Sequence, residues 1–292
     1  MADYYYVDPE TGSSCYLIVG EKVIVIDPGM AFNGENIVAK IRDIIGDRPV
    51  DTVLLTHSHY DHVGALPFIR HEWPEVTVCA HGRAAYVLER PGARKTIRSL
   101  SEEAARNNHS VISPLFSEDA LYVDLTLEDG EVLNFNDFKI RVIACPGHTQ
   151  DSLSFLMDDK VLFAAETLGL PGHDGRYTPE FLVSWKDSLD SVRKCRQYPV
   201  RYLCFMHFGI YKDPEGKGIW DWMEKGLMEV KDSLIAIIRT IGDEQGRIAA
   251  MEDKYWNRHR VGGIPKTAFY LNAQAMLKTI GAEFADEINK GE

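Results

Sequence analysis

The chain carries three histidines and an aspartate in one short segment, at His57, His59, Asp61 and His62, directly after the apolar run 51–56. Imidazole nitrogens and carboxylate oxygens are ligands that zinc and other first-row cations accept. With ten histidines in 292 residues, this histidine spacing is expected by chance in about one such chain in a hundred. A histidine-rich surface turn is the alternative. The spacing favours a metal site at the end of a strand, where His57 and His59 face one ion and Asp61 and His62 another.

Further candidate ligands follow later strands, because four side chains cannot complete the coordination spheres of two metal ions. His148, Glu166 and His207 each come directly after an apolar segment that is typical of a buried strand. Loops at one end of a sheet can converge on a ligand site. We therefore expect these three side chains to join the first four.

The arrangement of these motifs resembles the metallo-β-lactamase fold superfamily of metallohydrolases over about residues 13–210. The resemblance rests on a Val-Ile-Asp-Pro-Gly turn, the histidine cluster, a Pro-Gly-His-Thr segment and two strand-end positions, at 25–29, 57–62, 146–149, 166 and 207. It implies an α/β fold, an αββα sandwich, with a dinuclear metal site at one edge of the sheets. Asp27, in the early turn, would steady one of the ligand histidines.

The resemblance also implies how the ligands divide between two divalent metal ions, with zinc expected first and iron or manganese as alternatives. One ion would take His57, His59 and His148, the other would take Asp61, His62 and His207, and residue 166 would bridge both. The bridging residue in the family is usually aspartate, whereas this chain has Glu166, which is longer by one methylene. Either Glu166 bridges at an altered spacing, or it is displaced and a water bridges. Asp61 and Glu166 are the candidate catalytic residues.

Secondary-structure patterns divide the chain into a catalytic domain, residues 1–215, and a helical C-terminal extension, residues 216–292. Short β-branched runs predict a hairpin at 15–27, and further strand-like runs predict a strand meander over 131–165. Apolar residues at helical spacing predict a helix near 37–45. A helix near 179–197 and a strand at 201–206 follow. The extension contains apolar residues at alternating spacings of three and four: Trp220, Met223, Leu227, Val230, Leu234, Ile237 and Ile241. This seam favours a helix packed on the main domain, with a homodimer contact as the alternative.

Charge and cysteine content limit the class of protein. The net charge of −12 argues against binding to nucleic acid or to an anionic membrane, because both require a basic surface. The N-terminal segment shows no basic and apolar signal pattern, and the five cysteines show no C-x-x-C spacing. We therefore expect a cytoplasmic protein with reduced thiols.

Six basic residues cluster near one predicted helix, at Arg83, Arg90, Arg94, Lys95, Arg98 and Arg106, among three glutamates. They are interpreted either as a solvated helix face or as an anchor for an anionic small-molecule substrate, such as the phosphates of a coenzyme A thioester. With the helical extension, this second interpretation is similar to the acyl-thioesterase branch of the superfamily. His173, in a loop after Glu166, could face either the substrate or solvent.

The expected activity is hydrolysis. Two cations that share a hydroxide generate a nucleophile at neutral pH and polarise a carbonyl oxygen. A thioester or ester is the favoured substrate. The alternative is an iron-dependent oxidoreductase of the same fold, either a dioxygenase or a diiron protein that handles oxygen or nitric oxide. Those diiron proteins usually have glutamate where this chain has His59.

Overall fold

Two six-stranded sheets form the centre of the computed structural model, which describes residues 2–172, 175–178, 180–212, 218–256 and 265–290. The strands of the first sheet are β1 Asp3–Tyr6, β2 Tyr16–Val19, β3 Val23–Ile26, β4 Thr52–Leu54, β5 Thr77–His81 and β6 Leu125–Leu127. Their order in the sheet follows their order in the chain. The first three strands pair antiparallel, and β3 to β6 pair parallel.

The remaining strands are β7 Val132–Asn134, β8 Lys139–Ala144, β9 Leu153–Met157, β10 Val161–Ala164, β11 Leu170–Pro171, β12 Tyr177–Thr178, β13 Tyr202–Phe205 and β14 Gly209–Lys212. The second sheet has the order β14-β13-β10-β9-β8-β7, and β11 pairs with β12 alone. Within the second sheet only the β10–β13 pair is parallel. The predicted hairpin and meander are therefore both present.

Helices cover the outer faces of both sheets. Against the first sheet lie α1 Gly34–Ile45, α2 Tyr60–Val63, α3 Leu66–Glu72, α4 Gly82–Leu88 and α5 Pro91–Asn107. Against the second lie α6 Trp185–Cys195, α7 Gly218–Thr240, α8 Glu244–Tyr255, α9 Lys266–Glu283 and α10 Ala285–Asn289. The resulting order of helix, sheet, sheet and helix is the expected αββα sandwich.

Alternation along β3 shows how the sequence specifies this layering. Val23 and Val25 pack against the first helical layer, whereas Ile24 and Ile26 pack between the two sheets. Because side chains alternate across a strand, a strand covered on both faces is apolar at every position. The continuous Val-Ile-Val-Ile run is therefore the signature of a central strand.

The extension contributes to the second helical layer. Seam residues from Trp220 to Leu234 are buried, and they share one apolar core with residues of α6 and α9. The Trp185 indole N–H donates a hydrogen bond of 3.0 Å to the carbonyl oxygen of Leu227. The seam from Trp220 to Leu234 is thus covered within one chain, as the first alternative expects, and the homodimer contact stays a prediction. The boundary predicted at residue 215 lies outside the described residues.

The helix expected over 179–197 begins later, at Trp185. Ser184 caps it, because its hydroxyl oxygen accepts a hydrogen bond of 3.0 Å from the Asp187 amide. Residues 180–183 precede this cap without helical structure, and the amides of Leu182, Val183 and Ser184 all donate to the Gly147 carbonyl beside His148. Among the described helices, none is both long enough and apolar enough to cross a membrane.

Candidate metal centre

The seven side chains singled out in the sequence lie together at one edge of the two sheets. Those of the histidine cluster follow β4, while Glu166 and His207 follow the parallel strands β10 and β13. The register pairs Ala164 with Phe205. Glu166 and His207 are therefore the second residues beyond paired positions, at the same level of the sheet. His148 reaches the cluster from the loop between β8 and β9.

The potential ligand atoms form two groups, and Glu166 belongs to both. The first contains His57, His59, His148 and Glu166, and the second contains Asp61, His62, Glu166 and His207. Within each group the atoms lie within 4.8 Å of one another. The structure therefore brings together every candidate ligand predicted from the sequence, with the division that the resemblance implies.

The two carboxylate oxygens of Glu166 face different groups. Oε2 lies 3.0 Å from His148 Nε2 and 3.7 Å from His57 Nε2. Oε1 lies 3.1 Å from His207 Nε2 and 3.4 Å from His62 Nε2. Glu166 therefore occupies the position of a bridge.

The remaining two candidates complete the groups. His59 turns its Nδ1 toward His148, at 3.0 Å from His148 Nε2. The Asp61 carboxylate oxygen Oδ2 lies 3.4 Å from His207 Nε2. Nitrogen and oxygen ligands at tetrahedral positions around zinc are roughly 3.3–3.5 Å apart, given metal–ligand distances near 2.1 Å. The observed spacings are close to that range.

Hydrogen bonds on the far side of the rings fix their orientation. His62 Nδ1–H donates to Asp27 Oδ2 at 2.8 Å, His148 Nδ1–H to the Glu180 carbonyl at 2.6 Å, and His207 Nδ1–H to the Gly12 carbonyl at 2.8 Å. Each bond places a proton on Nδ1 and directs Nε2 into the cluster. Asp27 thus has the steadying contact that was expected of it.

Thr56 extends this arrangement to His57. Its hydroxyl donates to Asp27 Oδ2 at 2.5 Å and lies 3.0 Å from His57 Nδ1. A hydroxyl whose proton is directed to Asp27 accepts from the ring, so His57 also carries its proton on Nδ1. The buried Nε2 atom of His57 has no hydrogen-bond partner among the described residues.

Unusual backbone conformations occur at two of these positions. Asp27 and His207 have φ values of 44° and 60°, in the left-handed region that residues other than glycine rarely adopt. Such conformations persist where the surrounding structure enforces them, and they concentrate at functional sites. Gly147, beside His148, has a φ of 139°, and a Cβ there would lie 2.1 Å from Ser188 Oγ. This close approach to α6 explains the glycine of the Pro-Gly-His-Thr segment.

The electrostatic environment differs among the histidines, since it disfavours protonation of His57 and His59 and favours protonation of His62 and His207. Burial lowers the pKa of His57 well below its ordinary value, and it lowers that of His59 to about 4. Burial also opposes protonation of His62 and His207. At His62 the carboxylates of Glu166, Asp27 and Asp61 together outweigh burial and raise the pKa well above its usual range. At His207 hydrogen bonds to Asp61 and Glu166 raise the pKa to about 10. The carboxylates therefore stabilise a cation among the ring nitrogens.

The donor set fits divalent metal ions. It offers only imidazole nitrogen and carboxylate oxygen, and one of its buried nitrogens, His57 Nε2, has no hydrogen-bond partner among the described residues. Imidazole and carboxylate together suit zinc, iron and manganese, so the donors define a class of metal rather than one element.

A cavity of about 550 Å³ opens beside the cluster, between α5 and α9. His59, Asp61, Glu166 and His207 line it on the cluster side. None of the six residues of the basic patch is among its described lining residues. Arg98 instead pairs with Glu118, and Arg94 donates to the Leu88 carbonyl at 2.6 Å.

Other lining residues were missed at the level of sequence. Glu180 is buried, and its pKa is raised well above the usual range by burial and by Glu166. Asp151 accepts a hydrogen bond of 3.0 Å from the Ser58 amide, and Tyr60 contributes its ring and a buried hydroxyl. No spacing rule indicates residues 151 and 180, because loops carry them to the site. His173 lies outside the described residues.

Comparison with known proteins gives a family match. The model of the metallo-beta-lactamase superfamily matches residues 8–207. This segment contains all seven candidate ligands.

Individual relatives are more distant. A metallo-beta-lactamase fold-containing protein of Sulfurisphaera tokodaii is 26% identical over 203 residues, 68% of this chain and 73% of its own. A hydroxyacylglutathione hydrolase of a Bradyrhizobium species is 27% identical over 148 residues, which is 50% of this chain and 44% of that protein. The crystal structure of a metallo-beta-lactamase family protein from Thermus thermophilus superposes with a TM-score of 0.63 and 19% identity, over 94% of this chain and 88% of that one. The structural match therefore includes most of the helical extension.

Proposed function

Because the chain belongs to the metallo-beta-lactamase superfamily, we propose that it is a metal-dependent hydrolase that cleaves a thioester or an ester. The observation that carries the proposal is the position of Glu166, with one carboxylate oxygen toward each group of histidines. A carboxylate so placed can hold two cations at a short separation. The similarity to a hydroxyacylglutathione hydrolase supports thioester hydrolysis, although the match covers less than half of that protein.

The proposal assigns two divalent metal ions to the cluster, zinc in the first place. One ion would be held by His57, His59 and His148, the other by Asp61, His62 and His207, and both by Glu166. When bound, the two ions would supply a nucleophile at neutral pH and polarise the carbonyl oxygen of the substrate.

The protein's own groups would orient the reactants. Asp61 lines the cavity, and its carboxylate can accept a hydrogen bond from the attacking water. Hydrogen bonds to Asp27, to Thr56 and to the carbonyl of Glu180 fix the rings of three ligand histidines, which are His62, His57 and His148. Hydrolysis forms a C–O bond from water to the acyl carbon and breaks the C–S or C–O bond. One water proton passes to the leaving thiol or alcohol, and the other remains with the acid or is released.

The test combines metal analysis with two assays. We expect two metal ions per chain after supply of metal and anaerobic purification, and thiol release from acyl thioesters without oxygen uptake. His59→Ala and His62→Ala should lower turnover by about a thousandfold or more while retaining the far-ultraviolet circular dichroism of the native fold.

His71→Ala is the matched control, because His71 is exposed on α3 and belongs to neither ligand group. It should leave metal content and turnover unchanged. Fewer than one metal ion per chain in an active preparation would contradict the dinuclear site. Iron-dependent oxygen consumption with persulfides, in the absence of thiol release, would instead support the oxidoreductase alternative.

A further inference from the structure

The cavity beside the cluster has a distinctive wall. Nine of its described lining residues are apolar: Val87, Ala93, Ile97, Leu100, Leu170, Leu182, Ala268, Phe269 and Leu271. Helices α4 and α5 carry four of them, α9 carries three, and Leu170 and Leu182 lie on β11 and in the segment before α6. The described wall is therefore more apolar than the floor, the side of the cavity formed by His59, Asp61, Glu166 and His207.

The described lining of the cavity has more acidic side chains than histidines. Asp61, Asp151, Glu166 and Glu180 line it, and no lysine or arginine occurs among the described lining residues. Even with two divalent ions at the floor, the part of a substrate that extends along the wall meets apolar side chains and carboxylates. Along the described lining, an anionic group would be desolvated without a lysine or arginine partner, at a high cost in free energy.

The helix α9 completes this wall and is attached to both helical layers. Thr267 Oγ1 donates a hydrogen bond of 3.0 Å to Glu103 Oε1 on α5. Ala268 packs against the apolar core of the first layer, and Phe269 belongs to the core of the second. The first turns of α9 thus span the cavity, and small residues such as Ala268 leave its volume open.

From these features we propose that the cavity binds the uncharged, apolar acyl group of the substrate, and that α9 determines the length of acyl chain accepted. The proposal rests on the proposed hydrolase function and deepens it. The carbonyl carbon lies at the floor beside Asp61 and Glu166, the acyl chain runs along the wall, and the leaving group points to solvent.

Chain length gives the quantitative expectation. Each methylene that moves from water into an apolar pocket favours binding by about fourfold. For p-nitrophenyl acetate, butanoate, hexanoate and octanoate, kcat/KM should therefore rise with chain length until the cavity is filled. The p-nitrophenyl monoester of succinate, which has the same number of acyl carbons as the butanoate, should be at least about tenfold poorer.

Variants on the two walls test the role of α9. Ala268→Leu adds three carbons to the wall and should lower the ratio of octanoate to acetate kcat/KM at least about tenfold, with two metal ions retained. Thr96→Phe, from the facing helix α5, should do the same if Ala268→Leu folds poorly. Ala275→Leu is the matched control: it lies on α9 but lines a separate surface depression with Ile238 and Lys278. It should not alter the ratio.

A binding measurement separates this proposal from the hydrolase function. Alkyl methyl ketones from butanone to decanone carry the carbonyl group but no leaving group, so calorimetry reports occupancy of the cavity without turnover. Affinity that rises with chain length, and that Ala268→Leu reverses, supports the acyl pocket even if no ester is hydrolysed. Active enzyme with a flat chain-length profile, a preference for the succinate ester, or equal losses on all esters in Ala268→Leu would overturn the pocket and leave the hydrolase function intact.

Discussion

Glu166 differs from the usual bridging aspartate by one methylene, and its two oxygens reach both histidine groups. We expect Glu166→Gln to weaken binding of the second metal ion by about 10–100-fold and to lower kcat accordingly. The amide lacks the negative charge that offsets repulsion between two dications. Competition with a chromophoric chelator would measure the two affinities.

Glu166→Asp provides the comparison, since it keeps the charge and shortens the side chain. We expect it to retain two metal ions with a changed rate or metal preference, because the backbone is set for the longer side chain. If Glu166→Gln bound both ions with unaltered affinity and turnover, another residue or a water would have to be the bridge.

Tyr60 presents a buried hydroxyl that has no hydrogen-bond partner among the described residues, and its side chain lines the cavity. An unpaired buried hydroxyl destabilises a fold by about 1–3 kcal/mol. Because this atom is closed off from the cavity, we expect Tyr60→Phe to keep kcat/KM within about twofold of the unsubstituted protein and to keep or raise Tm. Steady-state kinetics and calorimetry on the same preparation measure both quantities. A lower Tm would mean that the hydroxyl makes a hydrogen bond in solution.

The contrast among individual residues shows what sequence can reveal about the site. The cluster at 57–62 and the strand-end residues His148, Glu166 and His207 could be identified because their chemistry is tied to the end of a recognisable strand. Glu180 could not, since it reaches His148 only through a non-helical segment before α6. Tyr60 stands within the cluster segment of the sequence, but its place beside the cavity depends on how α5 and α9 pack.

Secondary-structure elements followed their sequence patterns where burial was uniform. The β-branched runs of β2 and β3 and the periodic apolar residues of α1 are covered as their patterns require. The start of α6 was predicted too early, because the apolar residues at 181–183 continue the helical pattern. The helix begins only after its cap at Ser184. The wall formed by α9 was not predictable, since it depends on contacts between helices far apart in sequence.

The extension packs on α6 through a large apolar surface, so we expect the fragment 1–215 to be insoluble or inactive. Its removal would expose buried residues such as Trp185 and Val192 and would delete the α9 wall of the cavity. Removal of residues 285–292 alone is the control, because α10 contains no fully buried side chain. It should leave a soluble, active protein. A fully active 1–215 fragment would show that the extension is dispensable.

For the whole molecule, three separate apolar cores support the fold independently of the candidate metal centre. We therefore expect removal of metal by a chelator to leave far-ultraviolet circular dichroism nearly unchanged. Tm should fall by about 5–10 °C, since ions that bind only the folded state stabilise it by about 2.7 kcal/mol at a hundred times Kd. Restoring metal should restore Tm. Loss of secondary structure on chelation would mean that the ions are required for folding itself.

All seven candidate ligands lie between residues 57 and 207, whereas one side of the cavity comes from α9, more than fifty residues further along the chain. Under the proposed acyl pocket, mutations in α9 would therefore change which substrates are accepted without touching the groups that would perform the reaction. Descendants of one ancestral protein could thus acquire new substrates through mutations in α9 alone, while the residues of the candidate metal centre stay unchanged.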